Sequence, residues 1–170
     1  MRILIFGAGV LGCNLAKNLF DAKCDVTLLA RGKRAEEIKK DGLRIKNKLT
    51  SRISVSRVSV INKLEADDGY DVIFVCVRYT QIDAVLEAIK ANNSKNIVFV
   101  GNNVRADKLT ENLKEKNVMF AFANSAGYRE ENLVVSADLH KITIGQIKGA
   151  SDNKELIGKI FEGTKYKVSY

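Results

Sequence analysis

The residues best suited to chemistry are three glycines. Gly7-Ala8-Gly9-Val10-Leu11-Gly12 has the spacing G-x-G-x-x-G, and that spacing cradles phosphate. The first glycine allows a tight turn, the second lets the backbone approach a pyrophosphate, and the third lets a helix pack closely on a strand. About twenty residues further on, a chain that prefers an unmodified ribose places a carboxylate against the 2′-hydroxyl. Here the segment reads Leu28-Leu29-Ala30-Arg31-Gly32-Lys33-Arg34, with cations where the acid would stand. Arg31 is suited to a bidentate grip on a 2′-phosphate, with Lys33 beside it, so the expected cofactor is NADP(H). The competing reading is a solvated basic loop, which is what charge runs usually are. Asp25 stands at the wrong end of its segment to replace the missing acid.

A proton donor to accompany hydride transfer is harder to find. Tyr79 and Tyr128 lack a lysine four residues on, where Asp83 and Asn132 stand instead. His140 is a lone histidine beside an expected turn, a setting more often structural than catalytic. One histidine and three dispersed cysteines, Cys13, Cys24 and Cys76, offer no metal-ligand spacing. There is no nucleophile elbow and no Walker lysine. No catalytic residue is assigned within these 170 residues, and no metal site is expected.

Glycine spacing means little unless a strand precedes it and a helix follows. Residues 2–6 are a short apolar run suited to a strand buried on both faces. From Val10 to about Phe20, Leu11, Leu15 and Leu19 recur every four positions, which predicts an amphipathic helix, and Asp25 to Ala30 predicts the next strand. The pattern then gives a polar helix over Lys33 to Lys40, strands over Leu43 to Lys46 and Arg52 to Ile61, and a buried strand over Asp71 to Val77. A helix over Tyr79 to Ala91, a strand over Ile97 to Val100, a helix over Ala106 to Lys116 and a strand over Val118 to Ala123 continue the alternation. Asn132 to Ser136 and Lys141 to Ile144, separated only by Ala137-Asp138-Leu139-His140, predict an antiparallel hairpin. A helix over Asp152 to Phe161 and a strand-like tail over Tyr166 to Tyr170 end the chain. The fold class is therefore α/β, a Rossmann-type doubly wound, mostly parallel sheet with an antiparallel hairpin near the C-terminal end, in one domain over 1–170.

Composition fits that frame. At 46% apolar and 28% charged residues the chain has enough apolar surface to form a core. Lysine and arginine exceed the acids 28 to 20, which favours anionic ligands. The lysines are scattered without interleaved aromatics, so nucleic acid is not an expected partner. The cysteines lie in apolar segments and suit reduced thiols, and no run has the length of a signal peptide or membrane helix, so a cytoplasmic protein is expected.

Four motifs resemble the ketopantoate reductase (2-dehydropantoate 2-reductase) family: G-A-G-V-L-G at 7–12, L-L-A-R-G at 28–32, D-V-I-F-V-C-V-R-Y-T-Q at 71–81 and V-F-V-G-N-N at 98–103. H-K-I-T-I-G at 140–145 is similar to that family's closing hairpin. The resemblance implies an NADPH-dependent, cytoplasmic reductase of 2-keto acids in pantothenate biosynthesis, with a small-molecule substrate. It implies a lysine near cofactor and substrate at the end of the third motif and a glutamine three residues later. This chain has Arg78 and Gln81 there. It also makes Asn102 the nicotinamide- or substrate-side contact, against the alternative of a polar residue that merely ends a strand. The family continues into a helical second domain that supplies the proton-donating lysine and an acidic substrate residue. On that basis these residues are an N-terminal piece or a naturally shortened relative, inactive alone. An alternative is a dinucleotide-sensing regulatory module, although such modules retain the acid that Arg31 replaces.

Overall fold

The computed structural model describes residues 1–101, 106–148 and 153–170. In chain order the elements are β1 (Arg2–Phe6), α1 (Val10–Asp21), β2 (Asp25–Leu29), α2 (Gly32–Asp41), β3 (Leu43–Asn47), β4 (Ile53–Ser56), β5 (Ser59–Ile61) and β6 (Val72–Val75). A 3₁₀ turn (Tyr79–Gln81) then leads into α3 (Ile82–Ala91), followed by β7 (Asn96–Val100), α4 (Ala106–Asn112), β8 (Asn117–Glu130), β9 (Leu133–Lys148), α5 (Lys154–Phe161) and β10 (Lys167–Ser169). No helix is long and apolar enough to cross a membrane among the described residues.

The strands form one sheet in the order β4-β3-β9-β8-β7-β6-β1-β2-β5, with β10 paired to β9. From β5 through β8 every pairing is parallel. Numbered along the chain, that stretch has the 3-2-1-4-5-6 order of a Rossmann sheet, with β1 at the point where the order reverses. The sequence of β1 explains its central place. Ile3 and Ile5 face α1, while Leu4 and Phe6 face the side covered by α3 and α4. A run without polar positions, here Ile3 to Phe6, can be accommodated only between two layers, and each such burial contributes about 1.5–3 kcal/mol.

The segment 52–61 is not one strand. It divides at Arg57-Val58 into β4 and β5, which lie at opposite ends of the strand order. The change of phase between Ile53/Val55 and Val58/Val60 is thus a change of partner: β4 pairs antiparallel with β3 and β5 parallel with β2. Three Cα steps, at most about 11 Å, join the two ends of the sheet, so the sheet must curl back on itself. It curls around α1, which packs against β1, β2, β3, β4, β8 and β9.

The expected hairpin is also differently built. Asn132 to Ser136 and Lys141 to Ile144 belong to the single strand β9, and the hairpin is β8–β9, closed by Glu131-Asn132 between the paired Glu130 and Leu133. Residues 137–140 run through the ladder, with a register shift opposite them between Ala123 and Ser125 and a positive φ of 51° at His140. The half-buried Asp138 joins this ladder to α1 and to Tyr166. The Asp138 carboxylate accepts from Tyr166 Oη at 3.0 Å, Asn18 Nδ2 at 3.3 Å and the His140 amide at 2.9 Å. One turn earlier on α1, Asn14 donates to Ser125 Oγ at 2.5 Å and accepts from Ser136 Oγ at 2.9 Å. Asn14 and Asn18, four residues apart and so on one helix face, tie α1 to both strands of the hairpin.

The fourth helix stops at Asn112 rather than continuing to Lys116. Lys116 is buried, and its amino group donates to the carbonyls of Asn92 and Ser94. Burial pushes its pKa down.

Candidate active-site cleft

The C-terminal ends of β1, β2, β6 and β7 open onto a cleft of about 1280 Å³. This is where a doubly wound sheet leaves a crevice, because the connections from β1 and from its neighbour β6 depart to opposite faces.

Gly7 follows β1 with φ 117°, and a Cβ there would lie 2.7 Å from the carbonyl oxygen of Cys76. Only glycine tolerates that backbone and that approach. Gly12 lies beneath the loop, where a Cβ would come within 2.0 Å of Gly7 O and 3.1 Å of Cys76 Cβ. Gly9 differs from both. It is the N-cap of α1, and a Cβ built on it meets no protein atom within 4 Å. The first intrahelical bond runs from the Cys13 amide to Gly9 O at 2.9 Å. The Val10, Leu11 and Gly12 amides therefore lack helical partners, and no side chain caps them. Free donors at the positive end of a helix attract an anion. An open wall with no Cβ lets that anion come close to the backbone.

Gly7, Ala8, Gly9, Val10 and Leu11 line this cleft, together with Arg31, Arg78 and Gln81. Arg31 is exposed, and its guanidinium stands 6.0 Å from the centroid of the Phe6 ring. Gln81 is held by its own turn: its amide donates to Arg78 O at 2.8 Å, and its Oε1 accepts from the Arg78 amide at 3.2 Å. Asn102 lies outside the described residues. Lys33 does not join the cleft. Its side chain is 88% exposed and sits 3.7 Å from Glu37. At about 100° per residue, Lys33 is rotated some 200° from Arg31 around the helix, whereas Arg34 returns to the same side.

Sequence reasoning gave no reason to place Gly127 and Arg129 in the site and set Tyr128 aside as a proton donor, yet all three line the cleft from β8. Tyr79, set aside for want of a lysine partner, lines it too, with Thr80 and the buried Arg34. The local signal for Arg34 was helical periodicity. The hairpin residues had none, because they arrive from about a hundred residues away through β8 pairing. His140 is not at the cleft; its ring packs against Tyr166 with centroids 5.9 Å apart. Cys13 and Cys76 lie buried under the glycine turn, and burial pushes both thiols up.

Strand order, glycine turn and cleft together define a Rossmann-type domain. The chain belongs to the ketopantoate reductase PanE/ApbA family, whose profile matches residues 3–149. The oxidoreductase YkpB of Bacillus subtilis (strain 168) is 25% identical over 174 residues, covering 99% of this chain and 56% of its own length. The 2-dehydropantoate 2-reductase of Geobacter metallireducens GS-15 superposes with a TM-score of 0.83 at 19% identity, over 99% of this chain and 57% of that one. A D-mandelate dehydrogenase in a ternary structure with NADH and anilino(oxo)acetate has a TM-score of 0.81 at 18% identity, over 99% and 57%. For these two structures the likeness is one of fold. The chain spans little more than half the length of these relatives.

Proposed function

We propose that these residues form the NADP(H)-binding domain of an oxidoreductase that reduces a 2-keto acid. The observation that carries this reading is Arg31, which lines the glycine-turn cleft at the end of β2, where a carboxylate would favour the unphosphorylated cofactor. The residues fit the group. The partnerless amides of Val10, Leu11 and Gly12, beside the open wall at Gly9, suit a pyrophosphate, and the Arg31 guanidinium suits a 2′-phosphate.

Bound NADPH would supply hydride from C4 of its nicotinamide. The chain's own part is to bind and orient. Arg78, with Gln81 fixed to its backbone, stands at the end of β6 to hold the substrate carboxylate or the nicotinamide side of the cofactor. A guanidinium presents a fork of N–H donors, so the part that suits Arg78 is to anchor an anion. In this reading the ketone's proton donor comes from outside these residues, so the chain alone turns nothing over.

The test is thermal unfolding with NADPH and with NADH. At a hundred times Kd a ligand adds about 2.7 kcal/mol, or about 5–11 °C at roughly 2–4 °C per kcal/mol. NADPH is expected to give the larger shift at equal concentration. Arg31→Ala should remove the difference, and Lys33→Ala should leave it intact. No shift with either nucleotide would sink the proposal, and equal shifts would remove the role of Arg31.

A further inference from the structure

We infer that the β8–β9 hairpin completes a phosphomonoester subsite at the ribose end of the cleft, with Arg129 and Arg34 joining Arg31 around a 2′-phosphate. The inference rests on the dinucleotide reading above.

Three arginines line the same cleft: Arg31 at the N-cap of α2, Arg34 in its first turn and Arg129 on β8. Arg34 is 8% exposed. Its Nη1 donates to Asn132 O at 3.2 Å and Asn132 Oδ1 at 3.1 Å, and its Nη2 to Cys13 Sγ at 3.6 Å. Its Nε is buried and has no partner. A buried N–H without an acceptor is unfavourable, and here the unpartnered donor belongs to a side chain that lines a cleft built for an anion.

The hairpin is fixed in place rather than draped over the site. Asn132 accepts from Arg34 and donates to Asp41 Oδ2 at 2.8 Å, so the tip is gripped near both ends of α2. Arg129 lies three residues before that anchor on the same hairpin. At Gly127 the two strands approach so closely that a Cβ would meet Val135 O at 2.3 Å, which sets the height of Tyr128 and Arg129 above the cleft. Among the described residues no carboxylate pairs with Arg31 or Arg129, and Arg34 has only Glu37, at 3.7 Å. Cations collected with so little acidic compensation repel one another until a multivalent anion arrives. A phosphomonoester carries about −1.5 to −2 near neutral pH and three acceptor oxygens, which suits three arginines that share one cleft. A ribose hydroxyl offers neither.

The test is titration of the chain with 2′,5′-ADP, ADP and inorganic phosphate, using Arg129→Ala, Arg129→Lys and Arg31→Ala. Arg129 is exposed, so its removal leaves the core untouched. Arg129→Ala is expected to weaken 2′,5′-ADP about tenfold or more, as for a lost charge-assisted contact, while ADP changes less than about twofold, with partial recovery in Arg129→Lys. Inorganic phosphate should compete with 2′,5′-ADP more effectively than with ADP. Arg34→Lys, which keeps the charge but lacks Nε, should also lower the preference for 2′,5′-ADP. Equal losses for ADP and 2′,5′-ADP, or none for either, would overturn the inference. If the unaltered chain prefers 2′,5′-ADP and Arg31→Ala abolishes that preference while Arg129→Ala does not, the hairpin role falls and the cofactor reading stands. If the unaltered chain binds none of the nucleotides, the cofactor reading fails and takes the subsite with it.

Discussion

Alanine substitution at Gly9 and at Gly12 separates the two jobs of the glycine turn. At Gly12 the new Cβ would fall 2.0 Å from a backbone oxygen of Gly7 and 3.1 Å from Cys76 Cβ. Neither neighbour can swing aside as the end of a flexible side chain would. Overpacking of this kind costs about 1–3 kcal/mol, and contact with backbone argues for the upper end. Replacing a helical glycine returns at most about 1 kcal/mol, leaving a net loss of about 2 kcal/mol. At roughly 2–4 °C per kcal/mol for a chain of this size, Gly12→Ala should lower Tm by about 4–8 °C. At Gly9 the backbone has φ −79° and ψ −171°, which alanine adopts freely, and no atom stands within 4 Å. Losing a glycine N-cap costs about 1 kcal/mol or less, so Gly9→Ala should stay within about 4 °C of the unaltered chain. Its methyl nevertheless occupies the space through which a pyrophosphate would reach the α1 amides, and NADPH affinity should fall about tenfold or more. Differential scanning fluorimetry with and without NADPH reads both quantities. Gly9→Ala binding NADPH as tightly as the unaltered chain would refute the phosphate cradle. An unchanged Tm for Gly12→Ala would refute the close packing of turn and helix.

The remaining predictions concern the supports of the site. Asn14→Ala removes a side chain bonded to Ser125 and Ser136 and leaves the buried Ser136 hydroxyl without its acceptor, at about 2 kcal/mol; thermal melts should show a loss of about 4–8 °C, and an unchanged Tm would show that α1 does not depend on the hairpin seam. Alkaline pH should destabilise the fold. Burial holds the Cys13 and Cys76 thiols above their ordinary value of 9.0, so below about pH 9 their contribution is fully present, and above it the unfolded state loses protons that the folded state retains. Stability should then fall by up to about 1.4 kcal/mol per pH unit for each thiol. Melts from pH 8 to pH 10 check this, and a flat profile would contradict it. Lys116, whose pKa burial lowers, acts with the opposite sign and would make the decline shallower.

Much of this protein was legible along the chain wherever a decision was local. The β1–α1–β2 unit and the turn at residues 7–12 follow from apolar periodicity and glycine spacing. A stretch buried on both faces has no polar positions, and the turn leaves no room for a side chain at Gly7 or Gly12. The sequence favoured Lys33 over Arg34 as the partner of Arg31, but the rotation of α2 buries Arg34 in the cleft wall and leaves Lys33 exposed. What tertiary structure alone decided was pairing at a distance. Residues 137–140 have the composition of a turn, but Asp138 has interior partners on α1 and at Tyr166, so the chain continues as strand. Residues 52–61 have the composition of one strand, but a curled sheet needs them at both of its ends. Arg129 carries no local mark of a site at all, and Tyr128 lacks the lysine four residues on that would mark a proton donor. They reach the cleft because β8 runs past its parallel partner into the hairpin, and Asn132 fastens that hairpin to α2. Sequence spacing records contacts within a turn or a strand. The contacts that complete this cleft lie about a hundred residues apart, and the cost of bringing such ends together is met by the whole core rather than by any motif.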